Sequence, residues 1–185
     1  MHGSASDADL DALASAAAAG DPAALDDLLA RIQPRVARIA GRMLPHPQDA
    51  EEATQDALLA VARNIARFEG RSRFTTWLHA VASNSARSTY RSLKRRYVER
   101  ATDVLPVAVD PRTTSVIAGS RLDLLEALEL LAQDKPELVE PLVLRDVSEL
   151  DYQDIADLLG VPLGTVKSRI HHARAFVRPL LRAHD

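Results

Sequence analysis

The sequence predicts an all-α protein made of two small helical domains joined by a flexible linker. Apolar residues recur at helical spacing along most of the chain, and an alternating strand pattern is almost absent. The length of 185 residues suits one domain or two small ones. The helical spacing fails from about 101 to 118, where proline, aspartate, serine and threonine cluster as in a tether. We therefore predict domains over 1–100 and 119–185, with the linker at 101–118.

Four helices are predicted in the first domain. The second begins where Asp21 can cap it and Pro22 fits its first position. Pro34 lies inside the apolar stripe of that helix and predicts a kink or a split there. The predicted helices cover about 9–19, 22–43, 49–65 and 75–100.

The second domain is also predicted to contain four helices, and its last two have the form of a helix-turn-helix. Ala156 is small where a partner helix must approach closely, and Gly160 marks a tight turn. The predicted helices cover about 121–132, 136–146, 152–159 and 163–183.

Charge alternates along the chain, which the overall net charge of −3 conceals. Residues 1–62 carry net −6 and residues 101–160 net −9, whereas 63–100 carry +8 and 161–185 carry +4. Two separated basic segments are what a protein that grips a polyanion at two places needs. Charge alone leaves open that these are ordinary solvated faces of helices.

The last predicted helix carries a basic stripe next to its apolar stripe. Lys167, His171, Arg174 and Arg178 each follow an apolar position by one residue, which is about 100° around the helix axis. In a helix-turn-helix, such a stripe enters the major groove of DNA. The alternative is a three-helix protein-binding module with a solvated basic face, and the combination of turn, small residue and basic stripe favours DNA.

Composition excludes several classes of protein. The absence of cysteine rules out disulfides and thiolate chemistry, and no apolar run approaches the ~20 residues that span a bilayer. The acidic, alanine-rich start does not resemble a signal peptide, so we expect a soluble, cytoplasmic protein without membrane insertion. An enzyme is the weakest alternative, because the sequence contains no Gly-rich phosphate loop, nucleophile elbow or cluster of metal ligands.

Two blocks of motifs resemble a known family. The C-terminal block reads DYQDIA at 151–156 and GVPLGTVKSR at 160–169. The N-terminal block reads DAEEATQD at 49–56, RFEG at 67–70 and FTTWL at 74–78. In this order and spacing, and over nearly the whole chain, they are similar to the bacterial extracytoplasmic-function (ECF) sigma factors. The resemblance implies a sigma-two-like domain of four helices followed by a sigma-four-like helix-turn-helix domain.

The resemblance also implies a function that rests on binding. Such a protein binds the clamp and flap regions of core RNA polymerase, directs the polymerase to promoter DNA through −10 and −35 elements, and helps to melt the duplex. No cofactor, metal or enzymatic activity is implied, and an anti-sigma factor is an expected partner. The residues that match the polymerase-binding positions of the family are Asp49, Glu52, Gln55 and Asp56. A solvated acidic face or a carboxylate metal cluster are the alternatives for these four side chains.

The matching DNA-binding positions lie in both domains. A base of the melted −10 element would lie in a pocket, with His79 and Asn84 facing it. Phe74 and Trp77 are predicted to be core residues that fix the adjacent loop, and stacking platforms for a base are the alternative for these two rings. The full −10 set is Phe68, Arg71, Arg73, His79, Asn84, Arg87, Arg91, Lys94 and Arg95. The −35 set is Arg145, Tyr152, Thr165, Lys167, Ser168, His171, His172 and Arg174.

One departure from the family pattern bears on specificity. His172 stands where the family often has arginine, and a neutral histidine offers at most one donor where arginine grips guanine with two. We therefore expect an unusual −35 sequence. Two competing functions remain at this point: a regulator that binds duplex DNA without polymerase, and an adaptor that binds only proteins.

Overall fold

The computed structural model describes the backbone of residues 7–103 and 116–182, and the side chains of 7–96 and 121–181. Within these ranges the chain is helical and contains no strand, so the predicted all-α class is confirmed. The α-helices are α1 (Asp7–Ala18), α2 (Pro22–Met43), α3 (Pro47–Asn64), α4 (Phe74–Asp103), α5 (Val116–Asp134), α6 (Val139–Leu142), α7 (Tyr152–Leu159) and α8 (Leu163–Arg182). Short 3₁₀ turns lie at Ile65–Arg67 and Pro136–Leu138, and a π-helical turn lies at Val143–Val147.

The start of α2 is capped as predicted. The Asp21 carboxylate accepts hydrogen bonds from the backbone N–H groups of Ala23 at 2.9 Å and Ala24 at 3.2 Å. Gly20, just before it, has a φ of +97°, a conformation that a residue with a side chain rarely adopts. A cap of this kind contributes about 1 kcal/mol to stability.

Of the kink or split predicted at Pro34, the split is wrong. α2 runs without interruption from Pro22 to Met43, with Pro34 exposed inside it. Ile32 and Val36 on either side are fully buried, so their burial holds the helix together across the hydrogen bond that proline cannot make.

The first four helices enclose an apolar core. Leu28, Ile32 and Phe74 are among its fully buried side chains. The start of α4 is tied to α1, because the Phe74 N–H donates to Asp11 Oδ1 at 2.7 Å. This contact fixes the loop at 68–73, which precedes α4.

The linker prediction is only partly within the described chain. α4 continues to Asp103 and α5 begins at Val116, so both ends of the predicted linker are helical. Residues 104–115 lie outside the described residues. The flexibility of that segment stays a prediction.

The single helix predicted over 136–146 is replaced by three short pieces. A 3₁₀ turn, the four-residue α6 and the π-helical turn follow one another from Pro136 to Val147. The consecutive residues Leu142, Val143 and Leu144 are all buried, which an ideal helix on one side of a core does not allow. The wider π turn, closed by the Ser148 N–H donating to Val143 O at 3.1 Å, brings all three inward.

The predicted helix-turn-helix is confirmed. α7 ends at Gly160, whose φ is +64° and whose N–H donates to Ala156 O. Ala156, only 4% exposed, packs with Ile155, Val166 and Ile170 in one buried cluster. The small side chain therefore lies where the two helices approach each other, as predicted.

The two halves of the chain share buried apolar residues in this structure. Met43 of α2 and Tyr90 of α4 lie in the same cluster as Leu128, Leu142 and Val177 of the C-terminal half. No helix within the described ranges is long and apolar enough to cross a membrane.

Candidate nucleic-acid interface

The recognition helix α8 presents four of its predicted DNA contacts to solvent. Its opposite side is anchored by buried apolar residues such as Val166 and Ile170. The exposed side chains near the start of α8 are therefore held in fixed positions by a rigid helix. Such fixed positions suit side chains that contact base edges. The exposed predicted contacts are Lys167, Ser168, His171 and His172.

Arg174, on the same helix, is engaged within the protein. Its Nε donates to Asp146 Oδ2 at 2.9 Å and its Nη2 to Asp146 Oδ1 at 2.5 Å. These hydrogen bonds raise the pKa of Arg174 above its usual value. The paired geometry joins α8 to the π-helical turn, so Arg174 positions the helix in this structure.

Arg145 and Tyr152, both predicted to touch the DNA backbone, lie together at the start of α7. The Arg145 guanidinium lies 4.7 Å from the centre of the Tyr152 ring and donates to Leu150 O at 2.8 Å. Asp151 Oδ1 is 3.7 Å from Arg145 Nη1. Thr165, half-buried in the first turn of α8, donates its backbone N–H to Pro162 O at 2.9 Å.

The predicted polymerase-binding side chains lie along α3. Glu52, Gln55 and Asp56 are exposed, and Asp49 is half-buried at the start of the helix. Glu52 Oε1 lies 3.5 Å from Arg96 Nη2 of α4. Leu59, 52% exposed, lies one turn beyond Gln55 and Asp56 and extends this face with an apolar side chain. Leu59 was not predicted as part of this face, although its spacing of three and four residues from Asp56 and Gln55 places it there.

Three aromatic rings secure the loop at 68–73. Phe68, Phe74 and Trp77 have ring centres 5.6 to 5.8 Å apart. Phe74 is fully buried, whereas Phe68 and Trp77 are half-buried. The rings fill the space behind the loop, which leaves Arg71 and Arg73 exposed on it.

A polar groove of about 540 Å³ lies between α3 and α4 and contains Asn84. Trp77 and Val81 supply apolar walls, and the Asn84 side-chain oxygen accepts a hydrogen bond from Arg87 Nη2. The full lining is Ala60, Asn64, Arg67, Trp77, Val81, Asn84, Ser85, Ser88 and Arg91. An amide beside an aromatic wall, with cations at the rim, is an arrangement that can hold an unstacked base and its phosphates.

His79 does not lie in this groove, although it was predicted to face the same base as Asn84. Five positions along a helix amount to about 140° around its axis, so the two side chains point in different directions. His79 is largely buried, and burial, followed by the nearby charges of Arg35 and Arg42, lowers its pKa to about 4. Its Nδ1 has no hydrogen-bond partner among the described residues.

The predicted phosphate contacts of α4 differ in exposure. Lys94 and Arg95 are exposed, and Arg91 Nε lies 3.8 Å from Glu129 Oε1 of α5. Arg87 is largely buried, and that burial, followed by the charge of Arg91, lowers its pKa.

The chain matches two regions of one family. Residues 19–96 match Sigma-70 region 2, and residues 121–177 match Sigma-70 region 4. The chain is 31% identical to the ECF RNA polymerase sigma-E factor of Haemophilus influenzae, over 85% of this chain and 87% of that protein. The chain belongs to the ECF sigma factors.

The chain is also similar to a second curated relative and to a solved structure. The chain is 36% identical to the ECF RNA polymerase sigma factor SigE of Mycolicibacterium smegmatis, over 91% of this chain and 66% of that protein. The structure of the sigma factor RpoE of Bartonella quintana, solved in complex with the anti-sigma factor NepR, has 27% identity and a TM-score of 0.47, covering 85% of this chain and 96% of that one.

As an ECF sigma factor, the chain directs RNA polymerase to promoters. The predicted family is thus confirmed. The acidic face of α3 and the Asn84 groove lie within the region 2 match, and residues 152–177 of the helix-turn-helix lie within the region 4 match.

Proposed function

We propose that this sigma factor binds the polymerase clamp with α3, holds the melted −10 element against α4 and the 68–73 loop, and reads the −35 element with α8. The observation that carries the proposal is the groove around Asn84, because it combines a hydrogen-bonding amide, an aromatic wall and rim arginines in one place.

The −10 step follows from the lining of that groove. A base that leaves the stack needs a flat apolar surface and a partner for its Watson–Crick edge. Trp77 offers the surface, and the Asn84 amide offers both a donor and an acceptor. Arg67 and Arg91 at the groove, with Lys94 and Arg95 beyond it, would neutralise the phosphates of the same strand.

The −35 step rests on the exposed stripe of α8. Lys167 and Ser168 lie in the N-terminal part of the helix, which is the part that reaches base edges in helix-turn-helix proteins. His171 and His172 are exposed beyond them, with ring centres 5.6 Å apart. A neutral histidine presents a single donor, so these positions would accept a base pattern different from that read by arginine.

The polymerase step combines an acidic face with one apolar anchor. Glu52, Gln55 and Asp56 would meet basic side chains of the clamp, while Leu59 would fill a small apolar contact among them. The apolar groove of about 510 Å³ between α5, α6 and α8 would receive the flap. The chain would act in the cytoplasm by binding alone, with no covalent step, and an anti-sigma factor would regulate it.

The test is run-off transcription with purified protein, sigma-free core polymerase and fragmented bacterial DNA, with transcript starts mapped by sequencing. We expect discrete starts that share two upstream elements. Binding of duplex DNA without core polymerase, together with no transcript, would instead indicate a stand-alone regulator. A protein that bound core and gave no starts at any DNA would contradict the assigned DNA contacts.

The Asn84→Ala variant examines the groove on the promoters found in this way. We expect polymerase binding to be unchanged and promoter opening, followed by permanganate reactivity of unpaired thymines, to be reduced. Gln133→Ala removes an exposed amide from α5 and is the matched control. A loss of polymerase binding by Asn84→Ala would show that α4 contacts the polymerase rather than the melted strand.

A further inference from the structure

The groove beside Asn84 contains a second amide side chain. Asn64, the last residue of α3, lines the same groove of about 540 Å³ and was not among the predicted DNA contacts. The chain has only two asparagines, so both of its asparagine side chains lie in one groove. Each amide carries an acceptor oxygen and a donor NH₂ group. Which of these groups each amide turns toward a base decides which base fits.

The Asn84 amide is oriented by Arg87. Its side-chain oxygen accepts a hydrogen bond from Arg87 Nη2. A guanidinium has only donors, so it bonds to the oxygen of the amide and not to the nitrogen. Arg87 is not among the described residues that line the groove. The Asn84 oxygen is therefore held on the side of Arg87, and the NH₂ group is left for the groove.

Arg87 is itself held by its surroundings. The side chain is half-buried, and its Nε is buried without a hydrogen-bond partner among the described residues. Burial, followed by the charge of Arg91, lowers the pKa of Arg87, while the charges of Glu140 and Glu129 act in the opposite direction. Arg91, in contrast, is exposed and lines the groove. Arg91 is thus the better placed of the two for a phosphate, and Arg87 is the better placed to fix Asn84.

The Asn64 amide is held in the opposite sense. Its Nδ2 donates to Ala60 O at 2.8 Å. Ala60 lies one turn earlier in α3, so this bond draws the NH₂ group of Asn64 toward its own helix. The Asn64 oxygen is then the group left for the groove. One wall of the groove offers a donor, and the other wall offers an acceptor.

A donor and an acceptor in fixed positions distinguish bases by their exocyclic group. An unstacked base is read at its Watson–Crick edge. Adenine and cytosine carry an amino donor there beside a ring acceptor, whereas guanine and thymine carry a keto acceptor beside a ring donor. Two oriented amides match one of these orders. The other order brings like groups together and leaves them unpaired, which costs binding free energy.

We propose that Asn64 and Asn84 together read one base of the melted −10 strand, with Arg87 as the positioning residue that turns the Asn84 NH₂ group toward that base. The base is selected by whether its exocyclic group is an amino donor or a keto acceptor. The inference rests on the proposed function, in which this groove holds the base.

The first experiment measures the orientation in the full chain without DNA. Asparagine labelled with ¹⁵N in its side chain gives only two NH₂ signals in the NMR spectrum, and Asn64→Leu assigns them by removing one. We expect ¹⁵N relaxation to show both NH₂ groups rigid on the ps–ns timescale in the parent. Arg87→Met should make the Asn84 group mobile and leave the Asn64 group rigid. Arg87→Lys keeps a donor and should restore the rigidity. A mobile Asn84 group in the parent, or no change in Arg87→Met, would overturn the positioning role.

The second experiment measures base preference with the holoenzyme. A promoter found by the run-off mapping is prepared with each of the four bases at every −10 position in turn, and the transcripts are quantified. At one position, we expect the parent to separate adenine from guanine, or cytosine from thymine, by about five- to tenfold. Asn84→Ala, Asn64→Leu and Arg87→Met should each bring this ratio close to one, and Arg87→Lys should retain it. Because the ratio compares templates within one variant, it does not depend on the fraction of folded protein.

Two variants serve as matched controls. Arg95→Met removes an exposed arginine of α4 and should lower transcription from all templates alike, without changing the ratio. Gln33→Leu removes an exposed amide of α2 outside the groove and should also keep the ratio.

The outcomes separate this inference from the proposed function. Equal losses on all templates by Arg87→Met would place Arg87 on phosphate, and an unchanged ratio in Asn64→Leu would remove Asn64 from the base site. Either result overturns the inference and leaves the groove as the site of the base. If Asn84→Ala changes base preference at no −10 position, the groove does not hold the base and the proposed function fails.

Discussion

The two basic helices α4 and α8 differ in what lies over them. Lys167 and His171 of α8 are open to solvent, and the helix is held from behind by its apolar side. In contrast, Arg87 of α4 is half-buried, and the exposed Arg91 lies 3.8 Å from Glu129 of the C-terminal half. A similar pattern of charge in the sequence therefore leads to one helix whose cations are open and one whose cations are partly engaged by the other half.

This difference in exposure follows from the elements against which each helix packs. α8 packs mainly on α5, α6 and α7 of its own half, and its other side stays open. α4 is a long helix that packs on α2 and α3 with one side and meets α7 and the π-helical turn with another. Because α4 packs on elements of both halves, less of its surface remains for DNA.

The largest effect on stability is expected from removing the aromatic ring of Phe74, the first residue of α4. Phe74→Ala should lower the free energy of unfolding by about 3–5 kcal/mol, because a fully buried aromatic side chain leaves a cavity between Phe68 and Trp77. Urea denaturation measures this loss. Leu59→Ala removes an exposed apolar side chain instead, and should change stability by no more than about 0.5 kcal/mol. A small effect of Phe74→Ala would show that the loop and α4 are not secured by this cluster.

The open surface of α8 is examined by Lys167→Ala. A lost base contact costs about 1–3 kcal/mol, so transcription should fall by about fivefold or more at promoters with the −35 sequence that Lys167 reads. Arg95→Ala on α4 removes an exposed phosphate contact and should weaken all promoters alike, with a shallower dependence on salt. Equal losses by Lys167→Ala at every promoter would place that side chain on phosphate.

The largely buried His79 of α4 should make the stability of the protein depend on pH. The pKa of His79 is about 4 in the folded protein, well below the usual value of 6.5. The unfolded chain therefore takes up a proton between pH 6.5 and 4 that the folded chain does not, and stability falls as the pH falls through this range. Urea denaturation at pH 7 and pH 5 should differ by on the order of 1–2 kcal/mol from this residue, with allowance for its partial exposure.

A neutral replacement separates His79 from the other titrating groups. His79→Gln should reduce the difference between pH 7 and pH 5. His172→Gln removes an exposed histidine of α8 and should keep the parent's difference. The same pH dependence in His79→Gln and the parent would contradict the buried, neutral histidine.

The smallest effect is expected from the Arg174–Asp146 pair. The two side chains are 41% and 33% exposed, so the pair should contribute only about 0.5–1 kcal/mol to stability. A double-mutant cycle with Arg174→Ala and Asp146→Ala measures this coupling. If Arg174 only positions α8, both single variants should weaken promoter binding to a similar extent. A much larger loss for Arg174→Ala would assign its charge to DNA.

The helices were predictable where local chemistry decides them. The cap at Asp21, the turn at Gly160 and the apolar side of α8 each depend on residues close in sequence, and each is found as predicted. The split at Pro34 was wrong because burial of Ile32 and Val36 outweighs the local preference of proline. The prediction of one helix over 136–146 was wrong. Three consecutive apolar residues face the core there, whereas the spacing in the sequence predicted one regular helix.

The candidate site also contains some features that were predictable from the sequence and others that were not. The exposed stripe of α8 was predictable, because a spacing of three and four residues places side chains on one side of a helix. The same helical spacing places the side chains of His79 and Asn84 on different sides of α4, so their separation was also predictable. The partner of Arg174 was not predictable, since Asp146 is 28 residues away and lies on a π-helical turn that the pattern did not reveal.

The sequence by itself determined the all-α class, the helix-turn-helix and the ECF sigma family, because caps, turns, apolar spacing and motifs are properties of short segments. Only the tertiary structure decided which charged side chains are open and which are covered. Arg91 and Glu129 are far apart in the chain, yet Arg91 Nε lies 3.8 Å from Glu129 Oε1 in the folded protein. Burial and desolvation are set by the sum of such distant contacts, so Arg87 of α4 is half-buried whereas Lys167 of α8 is exposed.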